Sequence, residues 1–175
     1  GPAAWALVLS YGLFGLGYIV PATFLPALAR EHMADPLLFG LAWPLFGLAA
    51  LASTLLVARF AAHRPPRQLA LGAHVVMAVG VLAPVLQPSL AAIVVSALCV
   101  GGTFMVATMA GLQEARRLAV GAPTRLMAAM TAAFALGQLI GPLLLSRGSS
   151  ATEAMRVPSL AAATLLVVGA LLLAF

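Results

Sequence analysis

The stretch SYGLFGLGYIVPATFLPALARE, Ser10 to Glu31, is apolar almost throughout, yet it carries two tyrosines, three glycines and two prolines. Tyr11, Phe14, Gly15, Tyr18 and Ala22 recur at helical spacing, so they share one stripe of a helix. A phenol in hydrocarbon needs a partner for its hydroxyl. A greasy segment long enough to cross a bilayer core of roughly 30 Å, with such a stripe, predicts a membrane helix lining a pathway. For Tyr11, near one end, a belt position at the membrane interface is an equal alternative. Tyr18 lies near mid-depth, where a polar cavity is favoured over a neighbouring helix as its environment. Pro21 and Pro26 each remove a helical hydrogen bond and are expected to bend or interrupt the second half of the span.

The rest of the chain has the same character. Of its 175 residues 63% are hydrophobic and 7% charged, with mean hydropathy +1.12. A soluble domain carries roughly 25% charged residues, so this chain belongs in a membrane. The net charge of +5 comes wholly from arginine, for the sequence has no lysine. These arginines sit in short connections and read as topology signals, not as a nucleic-acid surface. Absent lysine beside abundant alanine points to a GC-rich bacterial genome, hence to the bacterial inner membrane. The single cysteine, Cys99, excludes an intrachain disulfide and a cysteine-based metal site; no cofactor or metal is expected. The chain opens on Gly1-Pro2 directly before a span and reads as part of a longer protein.

Six spans are predicted, at about 4–29, 37–58, 68–87, 89–112, 126–146 and 158–175, in an all-α class. The second and fourth connections hold Arg59, Arg64, Arg67, Arg116, Arg117 and Arg125, whereas the other three hold Arg30, Arg147 and Arg156. The positive-inside bias puts the even connections, and with them both termini, in the cytoplasm. An offset of 86 lays Ser10, Gly15, Tyr18, Ile19 and Val20 on Ser96, Gly101, Phe104, Met105 and Val106. The two spans run in opposite directions, so the units would be inverted three-helix repeats of the kind found in secondary transporters.

Polar groups inside the other spans are few. Ser96, Cys99, Thr103, Ala107, Ala110 and Glu114 form one small, polar face of the fourth span. Helix packing explains such a face as readily as a cavity does. Glu114 is costly at a membrane helix end unless paired or wet. An ion pair with Arg116 or Arg117 at the cytoplasmic mouth is favoured, and proton coupling or gating by Glu114 and Arg116 is the sharper reading. In the second span Gly40, Trp43, Gly47, Ala50 and Thr54 share a face, with Pro44 expected to insert a kink. Gln138, an amide deep in the fifth span, is either interhelical glue or a solute contact; Gly137 and Gly141 beside it make a small-xxx-small pair. His74 is expected to be a hydrogen-bonded structural histidine, with no serine evident near it.

YGLFGLGYIVPATFLPALAR followed by DPLLFGLAWPLFGLAA closely resembles the seventh and eighth helices of YbfB/YjiJ-type transporters of the major facilitator superfamily. LGQLIGPLL, Leu136 to Leu144, is similar to the small-residue motif of that superfamily's eleventh helix. RFAAHRPPRQLALG, Arg59 to Gly72, resembles its basic loop motif but lacks the usual acidic residue, Val57-Ala58 standing before Arg59. The resemblance implies the C-terminal six helices of a twelve-helix transporter, with a small-molecule substrate, the lipid bilayer, and a missing N-terminal half or a second copy as partners. It implies that the first and fourth spans line the cavity, the second and fifth face the partner half, and the third and sixth support from outside. Candidate lining residues are Tyr11, Phe14, Tyr18, Thr103 and Gln138.

Three further classes compete. A complete six-helix protein could dimerise into a channel or small transporter. A purely structural subunit needs no site. An intramembrane protease needs a serine beside a histidine, and Ser149-Ser150 lie in a connection away from His74; no enzymatic activity is expected. Orientation is tested by cysteine labels in intact cells. Those at Ala62 and Ala122 resist an impermeant external reagent, and those at Ala34 and Ser150 react; the reversed pattern overturns the arginine argument.

Overall fold

In a bilayer core every backbone N–H and C=O must be paired within the protein, and continuous apolar runs of this length, without the alternation of a barrel strand, do so as helices. The computed structural model describes residues 1–32, 40–119, 121–144 and 150–174. Among them run α1 (Pro2–His32), α2 (Ala42–Phe60), α3 (Pro66–Leu86), α4 (Leu90–Leu118), α5 (Pro123–Ile140) and α6 (Ala151–Leu172). A 3-10 turn at Gly141–Leu144 tightens the end of α5. Six helices are long and apolar enough to cross a membrane. The labelling site Ala34, together with Asp35, Arg147 and Ser149, lies outside the described residues.

Proline accounts for three departures from the expected boundaries. α1 runs unbroken through Pro21 and Pro26, so neither interrupts it. Pro44 is the third residue of α2 rather than a kink, because the first turn has no intrahelical partner for its N–H groups anyway. α6 begins seven residues before Pro158, not at it, and Pro158 sits inside the helix. Its true start is a cap: the Glu153 N–H donates to Ser150 Oγ at 3.2 Å. That S-x-x-E spelling is a capping-box signature and was legible in the sequence. Ser89 caps α4 in the same way, accepting from the Ala92 N–H at 3.2 Å.

The packing has the symmetry that the offset of 86 implies. α1 packs on α5 and α6; its counterpart α4 packs on α2 and α3. α3 also packs on α6, and α1 crosses α4, so each of these pairs maps onto itself. The third and sixth helices therefore support α4 and α1, and each other. α2 and α5 are the least covered: 6% of the apolar window of α2 and 17% of that of α5 are buried, against 44–50% in the other four. They leave Leu48, Leu51, Leu55, Leu136 and Leu139 exposed.

Hydrophobic force cannot hold helices together in lipid, so close packing must. Gly15 and Gly101, paired by the offset, each let one helix backbone come up against another. A Cβ on Gly15 would strike the Phe134 backbone of α5, and a Cβ on Gly101 the Phe46 backbone of α2. Gly137 meets the Gly12 and Leu16 backbone of α1 in the same seam. Overpacking a tight site typically costs about 1–3 kcal/mol. Gly15→Ala and Gly101→Ala should each lower thermal stability in detergent by a loss of that order, whereas Gly47→Ala, with nothing near its Cβ position, should not. Equal melting curves for all three would refute the seams.

Candidate functional site

The two seams bring aromatic rings from four helices together. Tyr18 of α1 stacks on Phe104 of α4, ring centroids 4.3 Å apart and planes at 24°. These are the two residues that the offset equates, so the pseudo-twofold axis passes between their rings. Phe46 of α2 lies 6.2 Å from Tyr18 and Phe134 of α5 lies 6.4 Å from it. All four rings are half-buried. Beneath them Phe14 is fully buried, 6.0 Å from Phe104 and 5.2 Å from Phe134. The glycines thus do more than pack: the backbone residue each one touches carries the next ring of the wall.

Tyr11 is buried rather than at a lipid interface, its ring edge-on to Phe14 at 5.5 Å and lying across Gly111 of α4. Tyr18 keeps its hydroxyl uncommitted, with no hydrogen bond among the described residues. Gln138 is half-buried one turn beyond Phe134 on α5, and its amide is likewise without a partner among the described residues. Thr103 stands one residue off the stack. Its hydroxyl donates to the Cys99 carbonyl at 2.7 Å, and the residue lines a groove of about 360 Å³ with Ser53 and Gln68 between α2, α3 and α4. Phe46, Phe104 and Phe134 were not singled out as lining residues. For Phe104 the signal existed, in its match to Tyr18.

A second polar region lies at the end where both described termini meet the α2–α3 and α4–α5 connections. There a cavity of about 290 Å³ is lined by Pro2, Leu7, Arg67, Glu114, Leu118 and Leu173, among others. Glu114 is buried, and its Oε2 accepts no hydrogen bond from the described residues. Its ion-pair partner is Arg117, at 3.8 Å; Arg116 is exposed and makes no ion pair with it. Arg67, across the cavity, donates from Nε to the Leu173 carbonyl at 2.6 Å.

His74 contradicts one expectation: a serine does lie beside it. Ser10 Oγ is 3.2 Å from His74 Nε2 and 2.9 Å from the Gly169 carbonyl, within hydrogen-bonding distance of both. The pair has the spacing of a nucleophile and its base, but not the surroundings. Both residues are buried, and a Cβ on Gly169 would already meet the imidazole at 3.0 Å, so a scissile carbonyl has no room. This is a packed polar junction of α1, α3 and α6. Ser150, the other serine considered for proteolysis, is the cap of α6.

The family profile described as "Uncharacterised MFS-type transporter YbfB" matches residues 2–174. The chain belongs to this family of major facilitator superfamily transporters. No curated protein and no solved structure matches it. Membership makes it a multi-pass membrane protein of a transporter family.

The wall separates structural from free groups. Phe14→Ala empties a fully buried ring site and should cost about 3–5 kcal/mol. Tyr18→Phe removes a hydroxyl that bonds to none of the described residues, so detergent melting should be unchanged. A large loss for Tyr18→Phe would reveal a structural partner for the phenol.

Proposed function

We propose that this chain is one six-helix half of a secondary transporter that moves a small solute across the bacterial inner membrane by alternating access. The observation that carries this reading is the uncommitted Tyr18 hydroxyl on a half-buried aromatic wall, in a chain of the YbfB-type family. Tyr18 and Gln138 meet the solute, while Tyr11, Phe14 and Thr103 hold the rings and the α4 backbone behind them. No charged side chain interrupts the wall. Its chemistry therefore suits a largely apolar or aromatic solute with one or two hydrogen-bonding groups, bound by ring stacking and oriented by the phenol and the amide. The poorly covered faces of α2 and α5 are the surfaces for the other half.

Alternating access requires that the cytoplasmic end open and close. Glu114 is the group suited to sense this in our reading. A carboxylate oxygen without hydrogen bonds, in a cavity shared with Arg67 and 3.8 Å from Arg117, can exchange partners, or take a proton, as that end rearranges. Arg116 contributes charge at the mouth. Both termini and the arginine-rich connections face the cytoplasm.

The test is solute uptake by the intact transporter in proteoliposomes, screened with a panel of labelled aromatic solutes. Tyr18→Phe and Gln138→Leu should each raise the apparent affinity constant several-fold to about tenfold, as loss of a hydrogen bond worth roughly 0.5–1.5 kcal/mol requires, with expression unchanged. Phe24→Leu, off the wall, should change little. If both substitutions leave the kinetics intact, the wall is packing and the solute binds elsewhere.

A further inference from the structure

We propose that Ser10, His74 and Gly169 form a buried proton site, in which His74 Nε2 takes up a proton and the Ser10 hydroxyl turns to α6 in response. The purpose of the site rests on the transporter reading above; its existence does not. His74 Nδ1 lies 2.8 Å from the Ala70 carbonyl. A carbonyl can only accept, so Nδ1 carries a hydrogen in every state of the ring. Nε2 faces two oxygens, Ser10 Oγ at 3.2 Å and the Ser10 carbonyl at 3.3 Å. Ser10 Oγ in turn has two acceptors within reach, Nε2 and the Gly169 carbonyl at 2.9 Å.

One set of heavy-atom positions therefore serves two proton states. With the ring neutral, the Ser10 hydroxyl donates to bare Nε2, and the Gly169 carbonyl accepts only from the Leu173 N–H at 3.3 Å. With the ring charged, Nε2–H donates to the Ser10 oxygens, and the Ser10 hydroxyl swings to the Gly169 carbonyl. One proton is gained at Nε2, one hydroxyl rotates, and no donor is left unpaired in either state. A histidine held only for packing needs one such arrangement, not two. The Phe14 ring packs tilted against the imidazole, centroids 5.7 Å apart.

Among the described residues no charged side chain is hydrogen-bonded to the ring. From α1 Ser10 and Phe14 reach the ring, and from α6 the Gly169 backbone does. Among the described residues no carboxylate or cation of α4 or α6 bonds to it. The cavity holding Glu114 lies close by. Its lining residues Leu7 and Leu173 lie one turn, roughly 5 Å along the axis, from Ser10 and Gly169. A hydrogen-bonded path also joins the two places. Arg67 Nε–H donates to the Leu173 carbonyl, and the Leu173 N–H donates to the Gly169 carbonyl, which is the acceptor that Ser10 gains or releases. Proton occupancy at His74 is thereby felt by the guanidinium that faces Glu114. The absence of a side chain at Gly169 is what lets the α6 backbone come this close.

The experiment needs no solute, so its failure is separate from failure of the transport assay. The intact protein, labelled with nitrogen-15 in histidine and arginine, is placed in nanodiscs and titrated between about pH 5 and pH 8, the range in which an imidazole can switch. His74 is assigned by the signals that vanish in His74→Gln or, should that variant not fold, by those that survive in a His32→Gln, His63→Gln double variant. Nε2 of His74 should pass from the bare to the protonated shift, and Arg67 Nε should move with the same midpoint. An Nε2 that stays in one form throughout overturns the proton site. An Arg67 signal that ignores the titration overturns its link to α6.

Discussion

The close approach of α1 to α5 at Gly15 and of α4 to α2 at Gly101 is the constraint on which the rest of this structure depends. In water the burial of apolar side chains would hold four helices together whatever the detail of their seams. In lipid the alternative environment is as apolar as the interior, and only the fit of surfaces distinguishes the folded arrangement. A glycine opposite a backbone carbonyl gives the closest fit available. Because the residues met are Phe134 and Phe46, the same two contacts fix where two rings of the wall stand. Tyr18 and Phe104, one turn from those glycines, then meet across the axis. Packing and lining come from one pair of decisions.

How much of this was legible depends on whether the information is local. The spans are legible because length and apolarity are local properties, and the inverted repeat because Gly15, Tyr18, Gly101 and Phe104 repeat as a pattern. The start of α6 was misread at Pro158 although Ser150 and Glu153 spelled a cap; proline was given too much weight as a breaker. The stripe through Thr103 was identified correctly as a face, but a face alone does not say what it touches. Thr103 lines the groove shared with α2 and α3, and the ring one residue on, about 100° around the helix, meets Tyr18. The Ser10–His74 contact was invisible because 64 residues separate its members. It arises only once α3 and α1 are laid side by side.

Most threonine hydroxyls of the bundle are spent on their own helices. The hydroxyls of Thr23, Thr54, Thr103, Thr108, Thr131 and Thr164 all donate to the carbonyl four residues back. This satisfies each hydroxyl locally at little cost, so a threonine in a membrane helix says little about function. Against that background the uncommitted groups stand out. Among them are the Tyr18 phenol, the Gln138 amide and the Oε2 of Glu114. The first two lie near the wall and the third in the cavity at the end of the bundle. A solute site and a separate charged gate would be distributed in this way.

The repeat is close in packing but unequal in chemistry. Ser10 maps onto Ser96 by the offset, and the equivalent of His74 falls within one residue of Ser159. Ser96 and Ser159 are as buried as their counterparts, yet neither hydroxyl finds a partner among the described residues. One repeat thus spends its buried polar positions on a bonded junction of three helices, and the other leaves them unpaired. An unpaired buried hydroxyl costs about 1–3 kcal/mol, a penalty that the bonded junction around His74 does not carry. That junction adjoins the cavity that holds Glu114, whereas Ser96 and Ser159 lie toward the other end of the bundle. Two inverted repeats with one packing therefore differ in what their buried polar positions do, because the fold repeats the glycine seams and not the hydrogen-bond partners.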